Sequence, residues 1–253
     1  MDFFIFFFGV VLGSFLNVCI YRIPRKLSLI TPASSCPSCG TRIKFYHNIP
    51  LISYLLLRGK CAYCGAHIPA RYFWVELLSG LFAVIAYRFF GLTPAFAFYL
   101  LLLYVLLVVA MIDFERRIIP NKILLTGFIL AVGLNLTFSV VDWRQAALGF
   151  AISGGVLYLL ALVATFLFKK ESMGMGDVKL AAFIGFFLGW KLTLAGLYFG
   201  FFFALIYYVI LNLFKKQPTD KYVPMAPFFS LGIVILLFWG NQLTDWYIKF
   251  VLN

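Results

Sequence analysis

Two aspartates and four paired cysteines carry most of the chemistry that this apolar chain offers. Asp113 closes the run "LLLYVLLVVAMIDFERRIIPN", and Asp177 follows two glycines in "ESMGMGDVKLAAFIGFF". An ionised carboxylate in a bilayer costs about 2.5–3.5 kcal/mol on insertion scales, so an acid at the end of a span is a functional hypothesis by default. Two carboxylates within a few ångströms of each other cannot both ionise and come to share a proton. Such a pair can draw a proton from water and give one to a carbonyl oxygen. Plainer readings stand beside this one. Asp177 directly precedes an apolar helix and could be its N-cap, and Asp113 could pair with Arg116 or Arg117 one turn on. Glu115 falls on a different helix face from Asp113 and reads as a solvated loop acid. Gly174 and Gly176 allow unusual backbone angles and close backbone approach, which would give an extended peptide room beside the acid. They could equally be a flexible junction. The pattern fits neither GxGxxG nor GxxxxGK[ST].

Cys36 and Cys39 form one CxxC turn, followed by Gly40; Cys61 and Cys64 form a second, followed by Gly65. Two such turns at this separation are close to the spacing of structural zinc sites, in which four thiolates close the coordination sphere. The trailing glycines let each turn fold back so that N–H groups face the sulfurs. Two disulfides are the alternative, and a reducing cytosol disfavours them. His47 and His67 are then spare, and Cys19 lies within an apolar run as a packing residue. A zinc ribbon can bind nucleic acid, but this one is tethered at both ends to membrane segments, so no nucleic-acid partner is expected.

The elements that must position these groups follow from composition. The chain of 253 residues is 64% hydrophobic and 12% charged, against about 45–50% and about 25% in soluble domains. It reads as an all-α polytopic membrane protein with about eight transmembrane helices. They run over Phe3–Ile20, Tyr72–Phe89, Pro94–Ile112, Ile123–Phe138, Ala146–Phe168, Val178–Trp190, Leu192–Phe214 and Pro224–Trp239. The sixth is short for a full crossing. The N-terminus has an acid where a cleavable signal carries positive charge. Of the 21 basic residues, 17 fall in alternate loops and 4 on the other side. The loop between the first two spans, from Tyr21 to Arg71, has eight basic residues and no acid. Basic loops stay in the cytosol. Both termini are therefore expected outside, with the cysteine loop and both aspartates at the cytosolic face.

"GMGD" (Gly174–Asp177) and the "MID" that ends an earlier span resemble the GxGD class of membrane aspartyl proteases. Within that class the chain resembles the bifunctional type IV prepilin peptidases over nearly its whole length. The matching motifs are "GSFLNVCIYRIP", "CPSCG", "NIPLISYLLLRGKCAYCGAHIPARY", "VELLSG", "MIDFERRIIPN", "GMGDVKL" and "PMAPFFSLG", in that order. The resemblance implies an enzyme of the bacterial inner membrane. It would cut the basic leader from type IV prepilins and type II secretion pseudopilins at the cytoplasmic face, then N-methylate the new terminus with S-adenosylmethionine. It implies catalysis by Asp113 and Asp177 and a structural zinc on Cys36, Cys39, Cys61 and Cys64. It divides the chain into residues 1–90, with the zinc loop and the methyltransferase, and 91–253, a six-helix protease region. Where the family often has an acid after the first aspartate, this chain has Asn121. A basic leader needs local negative charge at the site, and Glu171 is a candidate beside the aspartates. No glycine-rich methyltransferase motif is visible. Asn17, Arg22 and Glu76 are the candidates for that activity or for substrate contact. Their plainer roles are a helix–helix hydrogen bond, an interfacial anchor and an intramembrane salt bridge. Two rival functions remain open on sequence: a proton- or metal-conducting transporter built on the two aspartates, and a non-catalytic scaffold that recruits secretion machinery.

Overall fold

The computed structural model describes residues 1–31, 34–169, 173–214 and 223–252. Long apolar runs leave the backbone one option in lipid, to satisfy its own N–H and C=O groups within a helix. Among the described residues eight α-helices form: α1 (Asp2–Arg22), α2 (Ile52–Leu56), α3 (Arg71–Phe90), α4 (Pro94–Arg116), α5 (Asn121–Phe138), α6 (Trp143–Phe168), α7 (Met175–Phe214) and α8 (Ala226–Leu252). Among the described residues, six are long and apolar enough to cross a membrane, and Ala226–Gly240 is a shorter apolar stretch of the same kind.

Helix α7 corrects one boundary and explains another. Its 40 residues would run about 60 Å if straight, twice the roughly 30 Å of a bilayer core. It is broken at Gly189 (φ 72°, ψ 170°), backbone angles that only glycine takes readily. The packing partners change at the break. Before it, Gly185 lies against Gly149 and Ala182 against Gly154, both on α6; after it, Gly196 meets Ile233 and Gly200 meets Phe229, both on α8. In each pairing one number rises as the other falls, so both pairs are antiparallel. The two halves are the sixth and seventh expected spans, divided at Gly189 just before Trp190. The last helix starts at Ala226, two residues later than expected, and continues past Trp239 to Leu252.

Two compact units divide the chain, Met1–Phe96 and Ala97–Asn253. In the first, α1 and α3 pack antiparallel through small residues. A Cβ on Gly9 would sit 2.7 Å from Ala83 Cβ and from the Ser79 carbonyl oxygen, and one on Gly13 would sit 2.8 Å from Ser79 Cβ. Lipid tails are as apolar as leucine, so association in the bilayer rests on such close fit rather than on a hydrophobic driving force. Asp2 pairs with Arg88 at one end of the hairpin, and Asn17 Nδ2 donates to the Tyr72 carbonyl (3.0 Å) at the other.

In the second unit α4 is the most enclosed span. Its apolar window is 61% buried, where the other spans have 22–33%. Phe98, Leu102, Leu103, Leu106 and Ile112 are all fully buried, as are Phe183, Ile184 and Phe187 of α7. The closest helix contact is glycine on glycine: a Cβ at Gly149 would lie 2.0 Å from the Gly185 carbonyl oxygen, and the reverse distance is 2.1 Å. The α5–α6 turn is tied by buried Asn135, which donates to the Val141 carbonyl (3.1 Å) and accepts from the Val141 N–H (2.8 Å). Asp142 then N-caps α6 by accepting from the N–H groups of Arg144 and Gln145, each at 3.0 Å.

Candidate functional site

Asp113 lies in the last turn of α4 and is buried. The helix stops just beyond it because Arg117 turns left-handed (φ 56°) and donates its N–H to the Asp113 carbonyl (2.8 Å). Asp177 lies in the first turn of α7. It is not the N-cap, since the helix already begins at Met175. The Asp177 N–H donates to the Gly174 carbonyl (3.1 Å), which makes Gly174 the residue that opens the helix. The two carboxylates, 64 residues apart in sequence, are close enough for their charges to repel each other. Arg117 also acts on Asp113 electrostatically.

A third element meets them. Asp113 Oδ2 accepts a hydrogen bond from the Ala226 N–H (3.0 Å). Ala226 is the first residue of α8, and the first N–H groups of a helix have no partner within it. Pro224 and Pro227 flank this start, and a proline near the first helical position is a normal opening signal. The N-terminus of α8 therefore holds one oxygen of Asp113 in place. Sequence reasoning did not find Ala226, because a backbone donor leaves no trace in side-chain type. The two prolines were the only signal.

The glycines have different jobs. A Cβ on Gly176 would lie 2.9 Å from Ile119 Cβ, whereas one on Gly174 would meet nothing closer than Asp177 Oδ2 at 3.6 Å. Gly176 is where the α4–α5 connection packs onto the start of α7, so the room expected there for a peptide is filled by Ile119. Gly174 is exposed, and a Cβ there would make only an ordinary contact with Asp177 Oδ2. Asn121, which replaces the expected acid, accepts from Lys179 Nζ (3.0 Å), a second tie between the same two elements. Glu171 lies outside the described residues.

The four cysteine sulfurs all lie within 4.8 Å of one another, and Cys36 Sγ is 3.9 Å from Cys64 Sγ. Sulfurs at the corners of a tetrahedron about zinc, each at about 2.3 Å, are about 3.8 Å apart. The cluster could hold zinc. The two turns are built alike. Cys36 N–H donates to the Thr41 carbonyl and Gly40 N–H to Cys36; Cys61 N–H donates to Ala66 and Gly65 N–H to Cys61. Gly40 (φ 70°) and Gly65 (φ 71°) take the positive φ that closes each turn. Backbone N–H groups of Cys39 and Ser38 face the Cys36 sulfur and hold its thiol below the ordinary value, and those of Cys64 and Tyr63 do the same for Cys61. The Thr41 hydroxyl and backbone lower Cys39. Cys64 receives a lowering contact from the Ala66 backbone, but burial and the other three sulfurs outweigh it and push the thiol up to about 11.

Asn17 and Glu76 face each other's helices in the α1–α3 hairpin. Asn17 Oδ1 is buried without a hydrogen-bond partner among the described residues. Glu76 is buried and accepts the Leu51 N–H (2.8 Å); Ser14 also hydrogen-bonds to it. Arg22 donates to the Ser28 carbonyl (2.8 Å) and so braces the turn that follows α1.

Comparison with known proteins agrees with this division of the chain. The bacterial peptidase A24 N-terminal domain matches residues 7–90, and the type IV leader peptidase family matches residues 100–209. The chain is 34% identical to a Bacillus subtilis prepilin leader peptidase/N-methyltransferase, covering 98% of both proteins. It is 33% identical to the Pseudomonas aeruginosa protein of that name, over 96% of this chain and 91% of that one. A Myxococcus xanthus protein of the same name is 37% identical over 78% of this chain, a match that spans 58% of that longer relative. No solved structure matches. The chain belongs to the type IV leader peptidase family.

Proposed function

We propose that this protein is a membrane aspartic endopeptidase that removes the leader from type IV prepilins and pseudopilins and then N-methylates the new terminus. The observation that carries the reading is the placement of Asp113 in the last turn of α4 and Asp177 in the first turn of α7, within electrostatic range of each other, with one Asp113 oxygen fixed by Ala226. With one proton shared between them, one carboxylate takes a proton from water as it attacks the scissile carbonyl carbon. The other gives its proton to the carbonyl oxygen. Collapse of the tetrahedral intermediate breaks the C–N bond and passes a proton to the leaving amine. A prepilin keeps its hydrophobic helix in the membrane, so the bond to be cut lies at the membrane boundary, where both helix ends are. The weight of basic residues supports a boundary on the cytoplasmic side of a bacterial inner membrane, with both termini outside.

The methyl transfer is assigned to the first unit. S-adenosylmethionine, when bound, supplies an electrophilic methyl group. Asn17, with an unused buried acceptor, and Glu76, a buried carboxylate, are polar groups suited to hold it, whereas Arg22 is committed to the turn beyond α1. The four cysteines hold a structural zinc, since a closed thiolate set leaves no position for a reactant.

Co-expression with a prepilin tests the reading. Wild type should release the leader, and Asp113→Asn and Asp177→Asn should not. Mass spectrometry of the mature terminus should then show one added methyl group on the wild-type product. Leader removal by either variant overturns the assignment of the pair.

A further inference from the structure

The segment between the two cysteine turns is built inside out. Within α2, the polar residue points inward: Ser53 is buried, donates to the Tyr46 carbonyl (3.0 Å) and accepts from the Ile49 N–H (3.0 Å). Ile52, Leu55 and Leu56 are exposed by 42%, 62% and 78%. Their i, i+3, i+4 spacing puts them on one face of the helix. A helix at a water surface has the opposite arrangement.

One hydrogen bond ties this segment to α3, and a second shapes its turn. Leu51, which opens α2, donates its N–H to the Glu76 carboxylate (2.8 Å). Ile52 N–H closes back onto the Pro50 carbonyl (2.7 Å) around Leu51 (φ 61°, ψ −52°), a γ-turn of the strained kind. Glu76 lies about 7 Å along the axis from the first residue of α3. Gly13 of α1, which packs on the Glu76 backbone, lies about 13 Å from the last residue of its helix. So α2 starts from a bond to a residue that lies inside the ends of both membrane helices of its unit. The Leu55 and Leu57 N–H groups are also paired, with Leu51 and Ser53 carbonyls, as a low-dielectric setting demands. Exposed Arg42, Lys44, Arg58 and Lys60 flank the segment, and the whole loop has no acid. That charge matches anionic phospholipid headgroups.

We propose that α2 is an interfacial anchor: its Ile52–Leu55–Leu56 face enters the acyl boundary of the leaflet from which the cysteine loop emerges, and the flanking basic residues meet anionic headgroups. Interfacial helices of this kind sit about 5–10 Å into the boundary, and Glu76, which holds Leu51, lies a similar distance inside the end of α3. The cysteine turns are then pinned against the membrane surface.

A photo-crosslinking residue, benzoylphenylalanine, placed at Leu56 or Leu55 in the full chain tests this in vesicles of phosphatidylethanolamine and phosphatidylglycerol. The same probe at Ala62, exposed on the second cysteine turn, serves as the control. Phospholipid adducts at positions 56 and 55 should exceed those at 62 by about tenfold. Adducts at 56 and 55 no more frequent than at 62, or crosslinks there mainly to a second copy or to added prepilin, would overturn the proposal. Two probe positions keep the test decisive if one variant fails to fold.

Discussion

Replacing Gly176 by alanine should disable cleavage, while the same change at Gly174 should not. The added Cβ at 176 would lie 2.9 Å from Ile119 Cβ and 3.3 Å from both Cγ1 and Cδ1. Carbon atoms in contact prefer about 3.8 Å, so the α4–α5 connection and the first turn of α7 must separate by about 0.9 Å. The nearest atom is a Cβ, which follows the backbone and cannot swing aside by a rotamer change. Overpacking of this kind costs about 1–3 kcal/mol. The larger effect is on geometry, because the displaced turn contains Asp177, and a shift of about 1 Å in a catalytic group can lower the rate about 10²-fold. At Gly174 the nearest atom to the new Cβ would be 3.6 Å away, an ordinary contact, so a change within about threefold is expected. The assay is kcat/KM for leader removal from a prepilin by purified enzyme in nanodiscs. Replacing Ile119 by glycine in the Gly176→Ala background should return much of the lost activity, because the clash is between the two Cβ atoms and glycine removes one of them. Wild-type activity in Gly176→Ala, or a larger loss in Gly174→Ala, would refute the packing argument.

Three further outcomes follow from the geometry. Zinc binding by the cysteine cluster should strengthen with pH by at least about one power of ten per unit across pH 6–9, since Cys64, pushed up to about 11, must release a proton to bind metal; competition titration with a chromophoric chelator measures the slope. Glu76→Ala strands the Leu51 N–H in its turn, which costs about 1–3 kcal/mol. It should lower Tm in detergent and reduce methylation of the mature terminus more than cleavage, read by mass spectrometry of the product. Gly185→Ala places a Cβ 2.1 Å from the Gly149 carbonyl oxygen and must force α6 and α7 apart, for a Tm loss larger than that of Gly155→Ala, where a Cβ meets nothing within 4 Å.

The spans were legible because lipid leaves each apolar run only a helix to form, and because basic loops alternate with neutral ones. The cysteine site was legible because two CxxCG turns fix their own local geometry. Gly189 was harder to read, since one residue with unusual backbone angles divides a run that is apolar on both sides. The depth match of Asp113 and Asp177 could be argued from topology, but the Ala226 N–H that holds Asp113 could not, because backbone donors are the same in every sequence. Gly176 was read as space for a substrate and is filled by Ile119: a glycine signals close approach without naming what approaches. The partner of Glu76 was hidden for the same reason as Ala226, being a loop N–H rather than a charged side chain.

The central claim is that Asp113 and Asp177 act as one unit on one peptide bond. Rates of leader removal by wild type, Asp113→Asn, Asp177→Asn and the double variant, measured on the same prepilin in nanodiscs, test it directly. Groups that share a step are strongly non-additive, so both single variants and the double variant should fall to the same floor, with each chain still folded by its melting profile. A single variant that keeps measurable turnover, or a double variant much slower than either single one, would contradict the account.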